Sequence, residues 1–144
     1  MYISLVNKNI EDIIISGYTE LGKIAHFSPM MWWVYLKLED NNYILLTSND
    51  GNISIEKKDH IECSFDIEEE DIFTISSFSK SDYGLISKID FFYDYNSNLI
   101  SVGIEISENY ILFDSLNFDG FAIKEQLNRD TVIKNSKHKN IVTY

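Results

Sequence analysis

The side chains able to do acid–base, nucleophilic or metal chemistry are three histidines (His26, His60, His138), one cysteine (Cys63) and twenty-three carboxylates. The histidines lie far apart in no ligand spacing. His60 and Cys63 are three residues apart, which on a strand puts them on opposite faces, unable to chelate one ion together. Cys63 alternates with Ile61, Phe65 and Ile67 on the apolar side of its stretch, the setting of a buried, inert thiol. Asp94, Asn96, Asn98 and Glu105 match positions 1, 3, 5 and 12 of a calcium-binding helix–loop–helix, but position 6, which requires glycine, is Leu99. With strands expected on both sides, Asn96-Ser97-Asn98 reads as a hairpin turn. There is no Gly-x-Gly-x-x-Gly, Walker loop or Gly-x-Ser-x-Gly, and six scattered glycines cannot cradle a phosphate. The expectation is a protein that is not an enzyme, with no catalytic residues, no cofactor and no metal. Two carboxylates meeting in a cleft, as a glycosidase needs, lie beyond what spacing decides.

What stands out is charge. Six of the ten residues from Glu62 to Asp71 are acidic: Glu62, Asp66, Glu68, Glu69, Glu70 and Asp71. Glu62, Asp66 and Glu68 are expected on the outer face of one strand, with the others in the turn beyond it. Like charges this close repel, and a partner presenting Lys or Arg relieves that repulsion and associates faster. The alternative is a solvated face that protects a sheet edge. These six residues are the candidate partner-binding site, and Trp33 and Tyr35 offer a second possible recognition surface. The whole chain carries a net charge of −11. Residues 124–144 hold five cations and two acids, so residues 1–123 carry −14. Such a body repels nucleic-acid phosphates and anionic lipid and attracts basic surfaces, so the expected partner is a basic protein, not nucleic acid or a membrane.

These residues must be positioned by strands. Period-two alternation runs through most of the chain. Trp32, Val34, Leu36 and Leu38 share one face, Asp40-Asn41-Asn42 turns the chain, and Tyr43 to Thr47 returns. Asn49-Asp50-Gly51-Asn52 is the strongest turn signal. Ile61 to Ile67, Phe73 to Phe78, Leu85 to Tyr95, Ile100 to Ile106, Tyr110 to Phe113 and Phe121 to Ile123 read as further strands. The expected fold is mainly β: a single-domain antiparallel β-sandwich or curled meander sheet with at most one or two short helices. Two stretches stay open. Asn9 could cap a helix through Ser16, although Ile13-Ile14-Ile15 equally suits a strand, and residues 124–135 carry only a thin helical stripe.

With 144 residues, one proline and no Gly/Ser-rich stretch, residues 1–144 are expected to form one domain, monomeric before binding. The lone cysteine, the lack of a signal-peptide pattern and the lack of an apolar run near ~18 residues point to a soluble cytoplasmic protein.

One stretch carries a resemblance. Residues 100–123, ISVGIEISENYILFDSLNFDGFAI, about one-sixth of the chain, resemble the strand, hairpin and FD…FDG ending of immunity proteins from bacterial toxin–immunity pairs, particularly those of contact-dependent growth inhibition. The resemblance implies a toxin inhibitor that binds a cognate toxin domain, often a nuclease, and blocks its active site in the producing cell's cytoplasm. A non-catalytic adaptor module and a small-ligand binder are the alternatives.

Overall fold

The structure, a computed structural model, describes residues 5–21, 26–62, 71–78, 83–116, 120–136 and 140–144. Their β-branched and aromatic runs form strands, because such side chains pack well on a pleated surface. In chain order these are β1 (Ile10–Glu20), β2 (His26–Leu38), β3 (Tyr43–Asn49), β4 (Asn52–Lys58), β5 (Asp71–Ser77), β6 (Ile86–Tyr93), β7 (Leu99–Ile106), β8 (Asn109–Ser115), β9 (Phe121–Leu127) and β10 (Asn140–Thr143), with one short helix, α1 (Arg129–Lys134), before β10.

The strands make two five-stranded antiparallel sheets, ordered β4-β3-β2-β1-β5 and β10-β6-β7-β8-β9. Each is a four-strand meander whose fifth strand returns beside the first. The two halves of the chain thus follow the same order, and the connections that bring back the fifth strand, residues 59–70 and 128–139, are equal in length. Alternation puts Ile13, Ile15, Val34, Leu36, Ile44 and Leu46 of the first sheet into one buried cluster with Ile89, Val102, Ile104, Ile111, Phe113 and Phe121 of the second. This is the core of an antiparallel β-sandwich. Burying each such side chain contributes about 1.5–3 kcal/mol, so the alternating faces set the register.

Both open stretches resolve. Residues 10–20 are strand β1, because three successive β-branched isoleucines favour extended backbone and their alternate members, Ile13 and Ile15, enter the core. Residues 121–127 continue as β9, and only residues 129–134 are helical. The Asn128 side chain caps that helix by accepting the Thr131 N–H at 3.0 Å. The expected strand from Ile61 to Ile67 is corrected at its start: Ile61 and Glu62 belong to no strand. Its remaining residues, Cys63 among them, lie outside the described residues.

The turns follow their chemistry. Asp50 and Gly51 have φ values of 51° and 83°, the two positive angles of a two-residue hairpin turn that matches strand twist. At the β6–β7 turn, Asp94 Oδ1 accepts the N–H groups of Asn96 at 2.8 Å and Asn98 at 3.0 Å, so the calcium-like spacing is a hairpin turn between strands. Pro29 sits in β2 where that strand pairs with Gly17 of β1. The β2–β3 ladder spans only Trp33 to Lys37, so no bond to β3 is lost at the proline. Among the described residues, no helix is long and apolar enough to cross a membrane.

Candidate functional site

A cavity of about 570 Å³, open to solvent, lies where the β3–β4 turn meets the second sheet. Ser115 Oγ fixes that meeting, 2.7 Å from the Gly51 carbonyl and 2.9 Å from the Ile100 carbonyl. Ile100, Leu116 and Ala122 supply apolar lining, and Asp50, Asp94 and Asp114 supply carboxylates. Asp94 is held below the usual carboxylate range, first by the Asn98 backbone N–H and then by that of Asn96. Asp114 accepts Ser101 Oγ at 2.5 Å and Lys124 Nζ at 2.9 Å, which commits the cleft's lysine to its own wall. Three carboxylates against one ammonium leave the cleft acidic, and it favours cationic groups. Asp94 and Asp114 act here as hydrogen-bond acceptors.

The expected acidic site is only partly visible. Glu62 is exposed, and its Oε2 lies 3.2 Å from His60 Nε2. The other ring nitrogen of His60 is hydrogen-bonded to Asp59. Asp59 first, and Glu62 after it, push the His60 pKa up. Asp71 opens β5 opposite Glu20, while Asp66, Glu68, Glu69 and Glu70 lie outside the described residues. Glu62 owes its position to Tyr35, whose hydroxyl donates to the Glu62 carbonyl at 3.0 Å and accepts the Glu62 N–H at 3.2 Å. Tyr35 is therefore corrected as a recognition residue: it is only 1% exposed, because the backbone of this segment lies over its hydroxyl. Trp33 is half-buried and packs edge-to-face with Trp32, centroids 5.9 Å apart. Among the described residues no cluster of His, Cys, Asp and Glu could hold a metal ion.

Sequence reasoning missed a carboxylate that, among the described residues, accepts four side-chain hydrogen bonds. Asp90 on β6 is 0% exposed, on the face of the second sheet turned away from the core. Arg129 grips it with both arms, Nε to Oδ2 and Nη2 to Oδ1, each at 2.8 Å. Tyr110 Oη donates to Oδ2 at 2.7 Å, and Thr143 Oγ1 to Oδ1 at 2.6 Å. Burial by itself raises the Asp90 pKa, but the bonds from Arg129, Thr143 and Tyr110 and the guanidinium charge outweigh it and hold the carboxyl below its ordinary range. Burial, then the bond to Asp90, push the Tyr110 phenol up. With its donors in place the carboxylate is saturated, so its chemistry is anchoring and not proton transfer.

The ladder shows why this fits. Directly opposite Asp90 stand Gly103 on β7 and Thr143 on β10. A Cβ at Gly103 would fall on the Tyr110 hydroxyl, so only glycine leaves the phenol its path to Asp90. Around the anchor, Phe92, Tyr110 and Leu112 form a second small buried cluster, packed by Leu127, Val132, Ile133 and Ile141. The signal available in sequence was an acid set among Ile89, Phe91 and Phe92, with a glycine inside the next apolar strand.

Compared with known proteins, the chain matches no family model, no curated protein and no solved structure.

Two outcomes follow. Gly103→Ala, which drives a methyl group into the Tyr110 hydroxyl, is expected to lower unfolding stability by about 1–3 kcal/mol, read by urea denaturation; an unchanged midpoint would contradict this packing. His60 is expected to titrate above the ordinary imidazole value of about 6.5 in an NMR pH series, and to move back toward it in high salt. Since its folded pKa is raised, its contribution to stability is full below the unfolded pKa and is lost as pH rises through the folded one. A value at or below 6.5 would show that the carboxylates do not hold the ring.

Proposed function

We propose that this chain is a protein-binding module that neutralises a cognate toxin domain, as bacterial immunity proteins do, by presenting an acidic surface to a basic partner. The observation that carries the reading is the cleft beside the β3–β4 turn. Its apolar lining of Ile100, Leu116 and Ala122 suits the aliphatic stem of a partner's lysine or arginine, and Asp50, Asp94 and Asp114 suit the charged head. The net charge of −11 adds long-range attraction that speeds encounter. A nuclease domain fits such a partner, because surfaces that hold nucleic-acid phosphates are basic. An adaptor that binds without inhibiting is the second reading, supported by the same cleft. The cavity also falls within the roughly 300–1,000 Å³ of small-ligand sites, but those are mostly apolar and enclosing, and this one is open and rimmed by carboxylates.

The test is association kinetics against the C-terminal domain encoded by the neighbouring upstream gene, at two salt concentrations, with the toxic activity expected of that domain assayed alongside. Asp50→Asn removes one cleft charge and keeps a residue that tolerates the turn's positive φ. Replacing Glu68, Glu69 and Glu70 together by glutamine removes the tract charge. Either variant at a recognition surface is expected to slow association about two- to fivefold at low salt and to flatten the salt dependence. Unchanged rates in both would place recognition elsewhere, and binding without loss of toxin activity would favour the adaptor.

A further inference from the structure

We infer that the C-terminal segment, α1 with β10, is a latched strap that opens as one unit from the outer face of the second sheet while the rest of the sandwich stays folded. Three features support this. First, its own packing is thin: α1 buries no residue completely. β10 offers four residues to a single neighbour, β6. The apolar cluster beneath them is separate from the main core.

Second, both parts of the strap converge on one carboxylate. Arg129 comes from the first turn of α1 and Thr143 from the end of β10, and both bind Asp90. Arg129 Nη2 also lies 3.4 Å from Thr143 Oγ1, tying the two parts to each other. Losing either bond weakens the hold on both, which is the condition for cooperative release. Beyond Asp90, the Tyr144 N–H donates to the Ile89 carbonyl at 2.9 Å and the Ile89 N–H to the Tyr144 carbonyl at 3.1 Å, so these amides report on the same event.

Third, the root of the strap sits at an irregularity. The β8–β9 ladder shifts register between Tyr110 and Leu112, and Gln126, with φ of 58°, holds the left-handed conformation there. Its N–H is fixed by the Asn109 side chain at 2.7 Å instead of by a regular ladder bond. Regular pairing is therefore interrupted at Glu125 and Gln126 and rests on the single Tyr110–Leu127 pair before Asn128 starts the helix, where a hinge costs least. Release would uncover the outer edge of β6 and the Phe92, Tyr110 and Leu112 surface. Asp90 would keep Tyr110 and gain water in place of Arg129 and Thr143.

The test is native-state hydrogen exchange of the full chain across low urea concentrations, on wild type and Thr143→Val, with Arg129→Met as a second variant. In wild type, the amides of α1, β10 and Tyr144 and the β6 amides bonded to them are expected to exchange together, faster than those of β7 and β8 and with a shallower urea dependence. Thr143→Val, which removes one bond to a charged acceptor and keeps the shape, is expected to speed exchange of this group about 10- to 100-fold. Arg129→Met is expected to speed it further, and limited proteolysis of that variant is expected to cut first within the strap and leave the remainder resistant. Exchange of the strap amides with the same free energy and urea dependence as β7 and β8 would overturn the inference. So would a separate strap group that neither variant accelerates.

Discussion

A carboxylate with no solvent contact can stay charged only if donors replace the water it has lost. At Asp90 that requirement propagates outward through the second half of the chain. It needs the phenol of Tyr110, which can approach only because the facing residue on β7 is Gly103. It needs a guanidinium, which sets the place of Asn128 and the helix it caps. It needs a hydroxyl from the strand beyond, which fixes β10 in register so that Thr143 stands opposite Asp90. One residue in the middle of β6 thus sets the positions of elements some forty to fifty residues later in the chain.

The first half solves the same topological problem with a neutral group. There too a meander of four strands is followed by a connection that returns to the first strand, and a buried side chain on the sheet's outer face receives the connection. Tyr35 does this by donating to and accepting from the backbone of Glu62. The two anchors differ in what they fix. A hydroxyl bonded to backbone constrains one point of the path, whereas a carboxylate gripped by two side chains from separate elements constrains both elements at once. The acidic cleft lies at a contact between the halves, where the β3–β4 turn rests on Ser115.

Much of this fold was legible in the alternation of the chain, because burial on one face imposes period two and a one-residue slip would expose the whole core. The turn at Asp50-Gly51 was legible for a local reason, since positive φ at both positions restricts the residues that fit. The anchor was not legible as such. Asp90 sits among apolar neighbours, which signals burial, but nothing local names the groups that pair with it. Its partners lie twenty, thirty-nine and fifty-three residues away. The cleft was hidden likewise, because it is assembled from turns and strand ends in both halves. Read as a strand, the stretch after His60 suggested an acidic face. The structure instead places Ile61 and Glu62 outside any strand, with the Glu62 backbone held by Tyr35, a long-range bond that period-two reading cannot register.

The central claim, that the second sheet's outer layer depends on the Asp90–Arg129 pair, is tested most directly by a double-mutant cycle. Unfolding free energies of Asp90→Asn, Arg129→Met and the double variant are compared with wild type by urea denaturation. Arg129→Met leaves a buried charge short of its counter-ion, and Asp90→Asn leaves the guanidinium one neutral amide oxygen in place of a carboxylate. The expected result is that the double variant loses little more stability than the worse single one, a coupling of at least about 1.5 kcal/mol. Losses that add to within about 0.5 kcal/mol would show that the two residues act independently and that the outer layer is held by its apolar contacts alone.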